Sequence, residues 1–302
     1  MDIRRLELLR ELAERGSVTA VAEATHRTPS AVSQQLKQLE REAGLPLTER
    51  SGRGIALTSA GRALARTAAD VATAIERAEA TWAEYQASPQ GEVSMLVFPT
   101  VGRMLLPGAL RTVAETPGLV VRCSDRDGSV SDYAELTPDF DIVLADSSGV
   151  MPSWRERGLV VVPLMREPLD IALPAGHRLA GRRSLTPADI VDEPWIGVPH
   201  DYPYDRILQQ VEAVTGRPAH RVQRFADNGI VEAMVAAGLG IAILPRFTTR
   251  SGDSGIVTRP LVDVRATRII SALMRPDRAE RHSVRRVVDA LRDEGERIEA
   301  SV

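Results

Sequence analysis

The first sixty residues alternate short helical patterns with caps and stops. Ile3, Leu6, Leu9 and Leu12 share one helical face behind Asp2, a good capping residue, and Gly16 ends the run. Ser17 opens a second, shorter helix over "VTAVAEA", and Thr25 to Arg27 make a turn. Thr28 followed by Pro29 is a cap and first-position start for a third helix. Its apolar side holds Val32, Leu36, Leu39 and Ala43. Ser30, Ser33, Gln34, Lys37 and Arg41 fall together on the other side, and Gly44 closes the helix. "LTERSGRGIALT" then predicts a small β-hairpin whose tip is flanked by Arg50 and Arg53.

From Thr58 to about Ala87 the pattern predicts one long helix. Leu64, Ala68, Val71, Ile75, Ala78, Trp82 and Tyr85 follow spacings of 4, 3, 4, 3, 4 and 3, a heptad seam sustained over three repeats. The simplest use of such a seam is a partner helix; the alternative is that the stripe lies on its own domain. "ASPQG" breaks the pattern and marks a linker ending near Gly91.

Beyond Gly91 the texture changes to strand-helix alternation. "EVSMLVF", "LVVRC", "DIVLA", "LVVVPL", "LDIALP", "PWIGV", "RVQRF", "GIAILP" and "TRIISALM" are short β-rich runs. Helical stretches such as "RMLLPGALRTVAE", "SDYAEL", "DRILQQVEAVTG" and "GIVEAMVAAG" divide them, and "AERHSVRRVVDALRDEGERIEA" is an amphipathic closing helix. The alternation predicts an α/β fold with mainly parallel sheets wrapped by helices. About 210 residues exceed one small sheet, so two lobes are expected. The domain boundaries expected are 1–58, 59–90 for the long helix and hinge, and 91–302.

Composition narrows the function classes. A net charge of −3 argues against a chain that is basic throughout, so any nucleic-acid contact must be set by a local patch. One cysteine, Cys123, excludes an internal disulfide framework and fits a reducing compartment. The start "MDIRRLELLRELAERG" has no uninterrupted apolar run, and no stretch approaches the roughly 20 apolar residues of a membrane span. The expectation is a soluble, cytoplasmic protein.

Enzyme chemistry finds little support. "GDSG" at Gly252 to Gly255 matches part of a serine-protease signature, but no histidine sits in a recognisable triad context, and a glycine-rich turn is the better reading. The five histidines (His26, His177, His200, His220 and His282) are too scattered to form a recognised metal motif. Lys37 is the only lysine, so no phosphate-cradling loop with a lysine exists elsewhere. No cofactor is expected.

The third helix makes the stronger case. Two helices joined by a short turn, the second with a small polar outer face, form a helix-turn-helix. Pro29 and Ser30, small residues behind the Thr28 cap, let the backbone approach base edges, and Ser33 and Gln34 can exchange hydrogen bonds there. Lys37, Arg41, Arg50 and Arg53 suit phosphate oxygens. The bland alternative is a three-helix bundle with a solvated face; the hairpin and heptad helix that follow weigh against it.

Residues 15 to 61, "RGSVTAVAEATHRTPSAVSQQLKQLEREAGLPLTERSGRGIALTSAG", resemble the winged helix-turn-helix of the bacterial LysR-type transcriptional regulators. "LDIALPAGHRLA", "PADIVDEPWI" and "VAAGLGIAILP" resemble the effector-binding domain of that family. Three positions depart from the usual pattern: Thr25 stands where leucine is common, Arg27 where an apolar residue is common, and Thr48 where phenylalanine packs beneath the wing. Gln34 replaces a frequent arginine, which should alter the operator bases preferred.

The resemblance implies pairing of the linker helices into dimers and tetramers, with Leu64, Ala68, Val71, Ile75, Ala78 and Trp82 at the seam. It also implies a C-terminal domain like a two-lobed periplasmic binding protein, with lobe I at 91–163 and 268–302 and lobe II at 164–267. A small effector between the lobes would change how the paired domains sit on DNA and so activate or repress transcription. The implied partners are promoter DNA, the effector, further copies of the chain and RNA polymerase, with no membrane. Strand ends in the cleft nominate Thr100, Ser124, His200, Asp201, Tyr202, Phe225 and Asp227 as effector contacts. Free amides at the helix start beside Thr100 suggest a carboxylate or an amino acid. The rival classes are a solute receptor or an enzyme on the binding-protein fold, and a regulator that acts without an effector.

Overall fold

A computed structural model describes residues 1–51, 54–85, 91–126, 130–147, 151–200, 202–250 and 254–301. The chain divides into two compact units: Met1–Pro89 with Arg275–Arg285, and Gln90–Met274 with Arg286–Val302.

In the first unit the capping residues define the helices. Helix α1 (Ile3–Arg15) starts where Asp2 accepts the Arg4 amide at 2.8 Å and stops at Gly16, whose φ of 71° is the left-handed conformation. Ser17 caps α2 (Val18–Ala24) through the Ala20 amide at 3.0 Å. Thr28 caps α3 (Pro29–Ala43) through the Ala31 amide, and Gly44 ends it. Leu9, Leu12, Val21, Val32, Leu36 and Leu39 meet in one core. The hairpin pairs β1 (Thr48–Ser51) with β2 (Gly54–Leu57) in antiparallel register, forming the wing; its tip, with Arg53, lies outside the described residues. The long helix α4 (Ser59–Tyr85) follows.

In the second unit, lobe I begins with β3 (Gly91–Val97), α5 (Pro99–Ala114), β4 (Leu119–Asp125), α6 (Val130–Glu135) and β5 (Ile142–Ser147). After α7 (Pro152–Glu156) comes β6 (Val160–Pro174), which leads into lobe II. There α8 (Pro187–Ile190), β7 (Pro194–Gly197), α9 (Pro203–Thr215), β8 (His220–Arg224), α10 (Asn228–Ala236), β9 (Ala242–Pro245) and β10 (Ile256–Pro260) follow. The strand β11 (Thr267–Met274) returns to lobe I. The chain ends with α11 (Pro276–Glu280), which belongs to the first unit, and α12 (His282–Ala300), which belongs to the second from Arg286 onward. Trp195 and Ile171 are buried in the lobe II core on one side of its strands, with Ile196, Val235 and Leu244 in a second cluster.

Four expectations need correction. The sheets are mixed: β3 pairs in parallel with β4 and β5, and β7 with β8. However, β11 is antiparallel to β5 and β6, and β6 is antiparallel to β9 and β10. The reason is topological. A chain that leaves one lobe on β6 and returns on β11 must run those strands in opposite directions. For the same reason "LVVVPL" and "LDIALP" are one strand of 15 residues. Its residues to Pro168 pair with β11, and from Leu169 onward they pair with β9 and β10. "IVTRP", just after the "GDSG" turn, forms β10, which the hydrophobic pattern did not single out. The closing helix breaks at Arg281, whose backbone is extended at φ −63° and ψ 130°.

Candidate functional site

On α3 the polar face separates into residues that are used and residues that are not. Gln35 accepts from Arg5 at 3.0 Å, and Gln38 donates to Glu42 at 3.2 Å, so both are engaged at the flank of the helix. Ser30, Gln34, Lys37 and Arg41 are exposed, and Ser33 is half-buried. Among the described residues the side chains of Gln34, Lys37 and Arg41 make no hydrogen bond or ion pair. The Thr28 hydroxyl serves as the cap and lies 3.0 Å from the Ser30 hydroxyl, while Pro29 occupies the first turn. Arg50 is exposed on the wing. Sequence spacing thus placed the face correctly, with Ser33 set further back than its neighbours.

The unusual positions also have local accounts. The Thr25 hydroxyl donates to the Val21 carbonyl at 2.7 Å, closing α2 with a polar bond. His26 then adopts φ 52°, and Arg27 is exposed immediately before the cap. Thr48 bonds to Glu40 of α3 from both its amide and its hydroxyl.

Along α4 the heptad stripe changes surroundings. Ala68 is buried in the helix-turn-helix core and Leu64 packs against it. Val71 and Ile75 line a groove with Ile3 and Leu6 of α1. Ala78 is exposed, as is Trp82 at 65%.

The second site is the cleft between the lobes. It is open-sided, with about 530 Å³ of unfilled space including its mouth. Phe98, Thr100 and Arg103 line it from the start of α5, Tyr133 from α6 and Asp146 from β5. Tyr202 and Tyr204 line it at the start of α9, Asp227 and Asn228 at the start of α10, and Arg268 on β11. Of the residues nominated from sequence, Thr100, Tyr202 and Asp227 line the cleft. Ser124 and His200 are exposed outside its lining, Phe225 packs on a lobe II cluster, and Asp201 lies outside the described residues.

Sequence reading missed the centre of this site. Arg268 is 1% exposed and donates to Glu167 Oε2 at 2.8 and 2.6 Å, to Asp146 Oδ2 at 2.9 Å and to the Thr100 hydroxyl at 3.2 Å. Its guanidinium stacks between Phe98 and Tyr204, 5.3 and 5.5 Å from the ring centroids. Glu167 also accepts the Phe247 amide at 3.1 Å. Burial works against the charged guanidinium, but Tyr204, Glu167 and Asp146 hold its pKa well above the ordinary value. Burial likewise pushes the Tyr204 phenol upward. The one available signal was an arginine inside the apolar run "TRIISALM", which requires a buried partner.

The family model of the bacterial regulatory helix-turn-helix protein, lysR family, matches residues 3–62, and the LysR substrate binding domain matches residues 86–296. The chain belongs to the LysR family. It is a LysR-type DNA-binding transcriptional regulator, with a winged helix-turn-helix followed by a long linker helix and a two-lobed effector-binding domain. The HTH-type regulator YcgK of Bacillus subtilis is 29% identical over 279 residues, covering 85% of this chain and 84% of that protein. The DNA-binding transcriptional dual regulator OxyR of Escherichia coli is 26% identical over 296 residues, covering 97% and 95%. A full-length OxyR from Pseudomonas aeruginosa superposes with a TM-score of 0.66 at 19% identity, over 97% of this chain and 95% of that one. The LysR family regulator CbnR in complex with its target DNA gives 0.54 at 21% identity, over 97% and 100%. At those identities the structural likeness speaks for the fold. With one cysteine among its 302 residues, this LysR-type chain cannot form a disulfide within itself.

Proposed function

We propose that residues 1–58 read promoter DNA, residues 59–90 pair copies of the chain, and residues 91–302 sense a small molecule. Gln34 and Ser33 read base edges from α3, with Ser30 at the approach. Lys37, Arg41, Arg50 and Arg53 hold phosphates. The observation that carries this reading is the exposed face of Ser30, Gln34, Lys37 and Arg41, with its last three side chains uncommitted beside Gln35 and Gln38, which are both engaged. Pairing through Ala78 and Trp82 gives a dimer and then a tetramer, acting in the cytoplasm and contacting RNA polymerase to activate or repress transcription. The reading includes no catalytic step.

The effector occupies the cleft. The start of α5 and Arg103 suit a carboxylate end, while Asp146 and Asp227 suit an ammonium end. An amino acid satisfies both, and a simple carboxylate only the first. The experiment is selection of genomic DNA fragments by the full chain. Wild type should enrich fragments sharing a common motif, and Gln34→Ala should lose that enrichment. Equal enrichment by the two proteins would reject the assignment of the α3 face.

A further inference from the structure

The floor of the cleft carries more negative than positive charge. Arg268 faces two carboxylates, Asp146 and Glu167, and all three residues are at most 3% exposed. Two carboxylates around one guanidinium leave a formal charge of −1 in a buried place. At the rim Asp227 adds a further carboxylate and Arg103 offsets it. Buried charge that is not balanced is costly, so such a site favours a cation over an anion.

Two further observations point the same way. Asp146 bonds Arg268 through Oδ2, and Asp227 accepts the Ile230 amide through Oδ1. The other oxygen of each makes no hydrogen bond among the described residues. In addition, Phe98, Tyr133, Tyr202 and Tyr204 line the same cleft in a chain that is only 4% aromatic. Aromatic faces attract cations, and Phe98 and Tyr204 already hold the Arg268 guanidinium in this manner.

We propose that the cleft recognises a small organic amine, with its ammonium group taken by Asp146 and Asp227 and its apolar body lying against the tyrosine rings. This rests on the cleft being the effector site and narrows that reading: the ammonium group, not a carboxylate, is what the site selects. An amino acid is accepted through its amine, with its carboxylate left to Arg103 and the start of α5.

The test is thermal unfolding of the full chain with three probes of matched body: phenethylamine, phenylacetate and phenethyl alcohol. The amine should raise the Tm by about 2 °C or more at saturation, and the acid and alcohol should not. Asp227→Asn keeps a residue able to cap α10 and should remove at least half of the shift. Asp146→Asn, a second variant on the floor, should do the same. No shift from the amine, or a shift that both variants retain in full, overturns the inference. A shift from phenylacetate alone also overturns it, yet leaves the cleft as an effector site if Ala226→Trp, at a cleft-lining residue just before Asp227, abolishes that shift by filling the space. Shifts from any probe that persist in Ala226→Trp place the ligand elsewhere and reject the cleft reading itself.

Discussion

Thr48 of the wing is joined to Glu40 of α3 through a single carboxylate oxygen. The Thr48 amide and hydroxyl each lie 2.9 Å from Glu40 Oε1, and the Leu47 amide is a third donor at 2.9 Å. This polar tie fixes the wing to the helix that carries Gln34 and Lys37.

That tie depends on pH. Burial raises the Glu40 pKa, but the bonds from Thr48 and Leu47 and the charge of Lys37 outweigh it and hold the carboxyl below its ordinary 4.5. A lowered folded pKa stabilises above the unfolded value and is lost as pH falls through the folded one. The stability difference between wild type and Glu40→Gln should thus be constant above pH 4.5 and shrink below it. Thr48→Val should cost about 1 kcal/mol at neutral pH. Urea melts at several pH values measure both effects, and a margin that grows on acidification contradicts the sign.

Gln34 and Lys37 should separate specificity from affinity. Gln34→Ala is expected to reduce discrimination between operator and random DNA by about 1–3 kcal/mol. Ser33→Ala should reduce it less, because Ser33 is half-buried. Lys37→Ala should weaken both kinds of binding alike and reduce the salt slope by about 1. Fluorescence anisotropy over a salt series distinguishes them; a changed base preference in Lys37→Ala would reject its phosphate role.

Gly61, at the start of α4, has no room for a side chain. A Cβ there would stand 2.0 Å from the Leu47 carbonyl oxygen, a backbone atom that cannot swing aside. Gly61→Ala should destabilise the helix-turn-helix unit by about 1–3 kcal/mol. An unchanged melting curve would show that the wing base yields more readily than the packing implies.

Arg268 should be required for folding of the second unit. Arg268→Met leaves Asp146 and Glu167 buried without their cation and should cost about 3–5 kcal/mol. Arg268→Lys keeps the charge but lacks the planar fork that reaches both carboxylates, so it should rescue only part. Chemical denaturation of the three proteins decides; equal midpoints would dismiss the cluster as a structural centre.

Trp82 is the better probe of pairing than Val71, because Val71 already lines a groove with α1. Trp82→Glu should lower the mass in sedimentation equilibrium toward that of one chain. An unchanged mass would reject the seam as the dimer contact.

Much of this molecule was legible from local pattern. Asp2, Ser17, Thr28, Gly16 and Gly44 punctuate the helices because caps depend on neighbours within a turn, and those neighbours are adjacent in sequence. The same holds for the α3 face, whose division into apolar and polar sides needs only the helical period. Thr100, Tyr202 and Asp227 were reachable because strand ends mark where clefts open.

What the sequence determined alone, then, was the family, the helix punctuation of the first unit and the polar face of α3, since each rests on interactions a few residues long. Tertiary structure decided the rest. The lobes are stitched by antiparallel strands because the chain must leave and return, and no pattern within β6 or β11 records that. Arg268 meets Asp146 and Glu167 across 122 and 101 positions of sequence. A buried guanidinium is tolerable only when such distant carboxylates converge on it, so the cleft's charge exists only once both lobes have folded.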